Sequence, residues 1–503
     1  MASRKVIIYQ VFTRLYGNSC QTRKPFGTIS ENGCGKMNDF SPTVLKAFRE
    51  AGITHVWYTG IVRHATMTNY TQFGIPSQHP AVVKGRAGSP YAITDYYDVD
   101  PDLAVNVAKR MEEFERLVNR THRAGLKMII DFVPNHVARQ YKSIAKPKGV
   151  SDLGEEDNQE HGFDPQNNFY YCPGQSFAPC FDLCHGESSP YEERPAKATG
   201  NDCFHNAPSV SDWYETVKLN YGVDYYAGRV GHFDPIPDTW QKMLHILLFW
   251  AGKGVDGFRC DMAEMVPAEF WTWVTAQVKE AFPGILFVGE VYNPAEYRRY
   301  INSGFDWLYD KVGMYDTLIA VLRHHQPADA ISRSWQQTDD IADHMLFFLE
   351  NHDEQRLASP LMLGVGQRAL PAVVVALLLR QNPFMLYAGQ EWGEDGMEQA
   401  GFSGPDGRTT IFDYWALRPE RHTPLTDSYR QLLHIARTED AVANGQMFDL
   451  MYVNQHLQRQ YAFLRATDRE LLLVAVNFDD VAFGLGSQTY NHRVGRIDFQ
   501  KSC

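Results

Sequence analysis

The sequence predicts an α/β protein: a (β/α)8 barrel with a subdomain inserted after strand three and a short C-terminal antiparallel β domain. Three observations predict it. Eight short apolar runs alternate with helix-period segments over most of the 503 residues. That rhythm stops between residues 133 and 239, in a stretch rich in Gly, Pro, Asn, Asp and Cys. After residue 443 it gives way to two strand-like runs joined by a turn. Strand–helix alternation implies parallel strands with helical crossovers. Eight such units suffice to close a barrel, which carries its active site at the C-terminal ends of the strands. A doubly wound open sheet is the alternative fold.

In chain order, the strand candidates are residues 6–11, 55–59, 128–133, 257–261, 285–288, 306–309, 345–349 and 384–387. Helix-period segments lie between most of them, at 42–51, 107–124, 239–251, 267–281, 294–301, 315–325 and 366–380. Structureless loops of about a hundred residues are uncommon, so 137–238 reads as an inserted domain. Residues 1–136 and 239–443 form the barrel, with a last helix over 428–443. Residues 461–464 and 471–477 alternate like antiparallel strands around a turn near 466–469. They make 444–503 a small β domain, expected to be incomplete as a closed sandwich.

Composition narrows the function. Hydrophobic residues at 44% and charged residues at 21% are ordinary for a globular protein. The net charge of −12 disfavours a dedicated polyanion binder, so no nucleic-acid partner is expected. Aromatics at 13% supply large cores or ring faces for stacking on sugars or bases. The longest apolar run, 373–379, is far short of a membrane span and ends at Arg380. No signal peptide is visible at the N-terminus. The expected location is cytoplasmic as written, or periplasmic or secreted with a signal removed; oligomeric state stays open. Four of eight cysteines, Cys172, Cys180, Cys184 and Cys203, crowd into one stretch of the insert near His185 and His205. Their spacing is not a usual zinc pattern. Disulfides, buried thiols and a metal knot are the readings.

Four strand ends carry polar clusters: Asp131-Phe-Val-Pro-Asn-His136, Gly257-Phe-Arg-Cys-Asp-Met-Ala-Glu264, Phe287-Val-Gly-Glu-Val-Tyr-Asn293 and Phe348-Leu-Glu-Asn-His-Asp353. Side chains alternate along a strand. Arg259 and Asp261 therefore share one face, and Phe258 and Cys260 the other, which makes Cys260 a buried thiol against the helices rather than a nucleophile. Carboxylates converging from three strand tips, with an arginine and two histidines, are the inventory of glycoside hydrolysis. A retaining mechanism needs an ionised nucleophile and a protonated acid about 5–5.5 Å apart. Arg259 suits the first role by holding Asp261 low, and the apolar strand around Glu290 suits the second. Asp261 and Glu290 lie at the tips of adjacent strands, about 4.7–4.9 Å apart, which favours that spacing.

These clusters resemble, in order, the four signature regions of the α-amylase family of glycoside hydrolases. The opening residues 6–14, the segment Ser89-Pro-Tyr-Ala-Ile-Thr-Asp-Tyr96 and Gly389-Gln-Glu391 extend the resemblance over nearly the whole chain. The resemblance implies Asp261 as nucleophile, Glu290 as general acid/base and Asp353 as transition-state stabiliser. It implies that His136 and His352 hold sugar hydroxyls, that Arg259 orients Asp261, that Tyr91 stacks on the cleaved sugar and that Asp131 supports the site. Lys218-Leu-Asn220, and the run from Met262 to Trp271, are similar to the neopullulanase and cyclomaltodextrinase branch. Glu264 and Met265 stand where typical α-amylases place Lys-His.

The implied activity is hydrolysis of α-1,4 links in an α-glucan, with glucanosyl transfer as the alternative. A non-catalytic binding barrel is the rival that the intact carboxylates oppose. Asn135 holds the position of a calcium ligand in many family members, so structural Ca2+ is the one cofactor expectation, and no organic cofactor is expected. A second family calcium position falls in the first loop, Glu31 to Asp39, where Lys36 stands near a ligand position.

Overall fold

The computed structural model describes residues 5–181, 190–396, 404–420 and 422–480, with the backbone of 483–485, 488–490 and 493–497. Eight strands close a barrel: β1 (Ile7–Phe12), β2 (His55–Thr59), β3 (Lys127–Phe132), β4 (Gly257–Cys260), β5 (Leu286–Gly289), β6 (Trp307–Tyr309), β7 (Met345–Phe348) and β8 (Phe384–Tyr387). Each pairs in parallel with its sequence neighbour, and β1 pairs with β8 to complete the ring. Register sets the level of the site: Arg259 in β4 lies opposite Asp131 in β3 and Val288 in β5. Alternation divides the strands cleanly. Ile8, Trp57, Ile129, Val288, Tyr309, Leu346, Phe348 and Met385 pack together inside the barrel. Phe258, Cys260 and Phe287 join the outer core beneath the helices, so Cys260 is the buried thiol its position predicts.

The helices begin where their caps place them. Helix α1 (Pro42–Glu50) has Pro at its first turn, and the Ser41 side chain accepts from the Val44 amide. Helix α2 (Arg110–Arg123) turns Phe114, Leu117, Val118 and Thr121 onto the barrel at helical spacing. Helices α3 (Asp238–Gly252), α4 (Ala268–Ala281), α5 (Tyr297–Asn302), α6 (Asp316–Leu322) and α7 (Leu370–Leu378) continue the outer layer. The helix expected over 428–443 is instead two: α8 (Pro424–Thr438) and a short turn at Asp440–Asn444. Glu439 between them is extended, at φ −78° and ψ 120°, and ends one helix while opening the next.

Between β3 and α3 the chain leaves the barrel. His136–Ala138 pairs antiparallel with Thr216–Lys218, and Tyr171–Cys172 with Ala196–Lys197. Val82, Cys172, Phe177, Ala196 and Tyr214 form a small separate core there. Cys172, Cys180 and Cys203 carry free thiols, and Cys203 Sγ lies 3.3 Å from His205 Nε2. Cys184 and His185 lie outside the described residues. Among the described residues no helix is long and apolar enough to cross a membrane.

The C-terminal sheet is antiparallel, in the order β9 (Gln446–Asp449), β10 (Gln460–Ala466), β11 (Leu471–Asn477) and β12 (Arg493–Ile497). It packs on α7, whose residues from Pro371 to Leu378 are all buried. The apolar run 373–379 is thus a helix covered on both sides. Arg465 of β10 locks the two layers. Its buried guanidinium donates to the carbonyls of Leu379 (2.8 Å), Ala441 (3.0 Å), Val442 (2.8 Å) and Gly445 (2.7 Å), at the end of α7 and around the Asp440–Asn444 turn. Arg465→Met keeps the stem and removes the donor from all four carbonyls, of which Ala441 keeps a backbone partner, the Gly445 amide. It is expected to lower unfolding free energy by about 3 kcal/mol or more in urea titration, with kcat of the folded fraction unchanged.

Candidate active site

The site is built on one buried arginine. Arg259 points inward from β4 and is 1% exposed. One arm, Nη1, donates to Asp261 Oδ1 at 2.7 Å, and the other, Nη2, lies 2.9 Å from Glu290 Oε2. Its Nε donates to the Tyr309 hydroxyl at 3.2 Å. The rings of Trp57, Tyr91 and Tyr309 surround the guanidinium at 5.2, 5.4 and 5.5 Å from their centroids. A single planar cation therefore holds the carboxyls of two adjacent strands.

Glu290 is fixed at both oxygens. Oε2 also accepts the Met262 amide at 2.7 Å, and Oε1 accepts the Tyr292 hydroxyl at 2.5 Å. Met262 follows Asp261 in the left-handed region, at φ 44°, which a non-glycine residue adopts only at a cost. That turn is what aims its amide at Glu290. Glu264 holds the next loop by accepting the amides of Tyr292 (2.9 Å) and Asn293 (3.0 Å). The Glu that marks a departure from typical α-amylases is thus a brace for the segment that carries Glu290.

A chain of hydrogen bonds runs across the opposite wall. Gln10 Nε2 donates to His352 Nδ1 at 2.9 Å, which leaves the ring hydrogen on Nε2. That Nε2 is 2.5 Å from the Tyr91 hydroxyl and 3.0 Å from Asp353 Oδ2. Tyr91 in turn donates to Asp131 Oδ1 at 3.4 Å. Asp131 also accepts from Trp57 Nε1 (3.2 Å) and the Gly60 amide (3.0 Å), and lies 4.0 Å from Arg259. Burial, with the Arg259 and Arg408 charges, pushes His352 well down, so the ring is neutral.

Burial and crowding raise the carboxyls. Burial lifts Asp131 to about 6 against the pull of Arg259. It lifts Asp353 to about 7, with the Glu290 charge adding to it. Asp261 is also pushed well up by burial and by the Glu290 and Asp353 charges, while Arg259 opposes them. The expectation that Arg259 holds Asp261 low is corrected: burial, together with the Glu290 and Asp353 charges, outweighs the guanidinium.

Asp131, Arg259, Asp261, Glu290, His352, Asp353 and Tyr91 thus meet at one end of the barrel. His136 and Asn135 lie at the junction with the insert, where a hydrogen bond between the His136 ring and the Tyr91 backbone joins that junction to the site. The buried His136 ring packs on Trp213 at 5.3 Å and faces Asn135 Nδ2 at 3.1 Å. Burial and the Lys218 and Lys84 charges push it down to about 3. Asn135 does not fit a calcium ligand. Its Oδ1 accepts the Lys218 ammonium at 2.5 Å and its Nδ2 donates to the Gly200 carbonyl at 2.8 Å. Tyr292, Tyr309, Trp57 and Gln10 are the residues that motif reading alone does not single out. Tyr292 was within reach, because alternation places it beside Glu290, two positions earlier.

Comparison with known proteins gives the family. The family model for the alpha amylase catalytic domain matches residues 43–452. Alpha-amylase 3 of Dictyoglomus thermophilum is 24% identical over 88% of this chain and 79% of its own. Neopullulanase 2 of Thermoactinomyces vulgaris is 23% identical over 94% and 69%, and a Bacillus cyclomaltodextrinase 23% over 95% and 73%. Among solved structures, the cyclic α-maltosyl-(1→6)-maltose hydrolase of Arthrobacter globiformis shares the fold, with a TM-score of 0.65, 16% identity and coverage of 99% of this chain and 98% of that one. The family domain spans most of the sequence, and the protein is a member of the α-amylase family, an enzyme on glycosidic bonds related to the neopullulanases and cyclomaltodextrinases.

Proposed function

We propose that the protein is a retaining α-glucan hydrolase that cleaves α-1,4-glucosidic bonds of starch-like polysaccharides or maltooligosaccharides through a covalent glycosyl–Asp261 intermediate. The observation that carries this reading is the Arg259 guanidinium shared between Asp261 and Glu290, at 2.7 and 2.9 Å. Two carboxyls flanking one planar cation suit the roughly 5–5.5 Å spacing of a retaining pair rather than the 6.5–9.5 Å of an inverting one.

In the first step Asp261 attacks the anomeric carbon while Glu290 gives its proton to the departing glycosidic oxygen. In the second, Glu290 takes a proton from water, which displaces the sugar from Asp261 and releases the α-anomer. Asp353 and the neutral His352, through its Nε2 hydrogen, hold ring hydroxyls as the sugar flattens. Tyr91 offers a ring face beside them. The first step requires an ionised Asp261 beside a protonated Glu290. A sugar hydroxyl in place of water would give transfer by the same residues. A relative named cyclomaltodextrin glucanotransferase, 21% identical over 94% of this chain, supports keeping that second reading. Product sizing on amylose, cyclodextrin, maltotriose and pullulan, with and without added acceptor, separates the two. Panose from pullulan marks a neopullulanase-like α-1,4 cut.

Proton NMR during early hydrolysis is expected to show the α-anomer first; initial β-anomer would overturn the retaining assignment. Glu290→Gln is expected to cut kcat on maltooligosaccharides roughly 10²–10⁴-fold, with a smaller loss on aryl maltosides whose leaving group needs no proton. Equal losses on both substrates would give Glu290 another role.

The crowded carboxyls also set a pH dependence of stability. Asp131, Asp261 and Asp353 all titrate higher folded than their unfolded value of about 3.9. The folded state therefore binds the extra protons, and stability falls as pH rises from about 4 through the folded values near 6 to 7. Asp261→Asn is expected to abolish turnover while raising Tm at pH 8, with a smaller gain at pH 5. A variant that loses Tm at both would show that Asp261 stabilises the fold.

A further inference from the structure

We propose that the Lys218 ammonium is a built-in structural cation, which takes at the barrel–insert junction the place that a bound calcium would fill. The chain would then hold its site together without divalent metal.

The argument starts from strand pairing. Thr216–Lys218 runs antiparallel to His136–Ala138, with Lys218 directly opposite His136. The lysine stem is thereby carried under the loop that leaves β3. Its side chain is 2% exposed, and its Nζ lies 2.5 Å from Asn135 Oδ1 and 2.7 Å from Asp202 Oδ1. The Tyr225 ring lies below it, 5.6 Å from centroid to Nζ. Calcium bound to Asn135 Oδ1 would sit about 2.3–2.6 Å away, in the volume that Nζ already fills. It would also demand six to eight oxygens, whereas Asn135 and Asp202 supply the partners that one ammonium needs.

The Asn135 amide is spent on both sides. Its oxygen receives Lys218, and its nitrogen donates to the Gly200 carbonyl of the insert and faces His136 Nδ1. Lys218 therefore fixes Asn135, and Asn135 ties the insert to the barrel and orients the histidine beside it. In the first loop the Lys36 ammonium donates to the Asp102 carbonyl, and its backbone amide donates to Asp39 Oδ2 at 2.6 Å. Among the described residues no cluster of three or more His, Cys, Asp and Glu side chains could hold a metal ion. A tethered cation differs from a bound one in that its occupancy does not depend on concentration.

Thermal unfolding of the full chain tests this. Wild type should melt at one temperature in EDTA, in buffer and in millimolar calcium. Lys218→Met should lose several degrees equally in all three. Lys218→Asp places a carboxylate beside Asn135 and Asp202; its Tm should be low in EDTA and rise with calcium. A wild-type Tm that falls in EDTA and returns with calcium would overturn the proposal, as would Lys218→Met melting like wild type. If Lys218→Asp does not fold, metal analysis after dialysis against calcium decides: stoichiometric calcium in wild type that Asn135→Ala abolishes refutes the built-in cation, and calcium-free wild type supports it.

Discussion

A buried guanidinium governs the architecture of this molecule. Taking an arginine charge out of water costs several kcal/mol, and the barrel mouth is arranged around offsetting that cost for Arg259. Asp261 comes from its own strand, Glu290 from the next, the Tyr309 hydroxyl from β6, and aromatic faces from Trp57 and Tyr91. Each partner must reach the same few ångströms, which ties the end of β4 to β5 and β6. Lysine could not serve as well, since a point charge lacks the two arms that hold two carboxyls at a set separation.

The same constraint explains the strain beside it. Met262 takes a left-handed conformation so that its amide meets Glu290. Tyr292 closes the other oxygen of that carboxyl, and Glu264 pins the loop that delivers Tyr292. Glu290 is thus held from the strand before it, from its own strand and from the following turn. A carboxyl gripped at both oxygens keeps one orientation, so little reorganisation remains for chemistry at that group.

Much of this was readable in the sequence because it follows from period and position. β2 and β8 fall on the residues that alternation predicts, and the other barrel strands shift by a residue at one or both ends. Asp131, Arg259, Asp261, Glu290, His352 and Asp353 were placed by being polar at strand tips where apolar residues are the rule. Three things escaped, each for a physical reason. Tyr309 and Trp57 look like core residues because they are core residues, and only the inward face reveals their contact with Arg259. Glu439 is an ordinary helix former, and its extended backbone reflects the way the next turn docks rather than its own propensity. Asn135 has the identity that the resemblance gives to a metal ligand, but its amide oxygen meets Lys218, more than eighty positions away, a pairing that no local pattern announces.

The covering of α7 has a consequence for how the chain is made. Every side chain from Pro371 to Leu378 is buried, the outer ones against strands that follow almost a hundred residues later. While the chain emerges from the ribosome, the barrel strands are complete well before that cover exists. For that interval a helix with no polar face lies open on the nascent domain, a ready surface for self-association. The C-terminal sheet is therefore the step that ends the vulnerable phase of synthesis, and a chain cut short between β8 and β11 would present a barrel with its stickiest helix exposed.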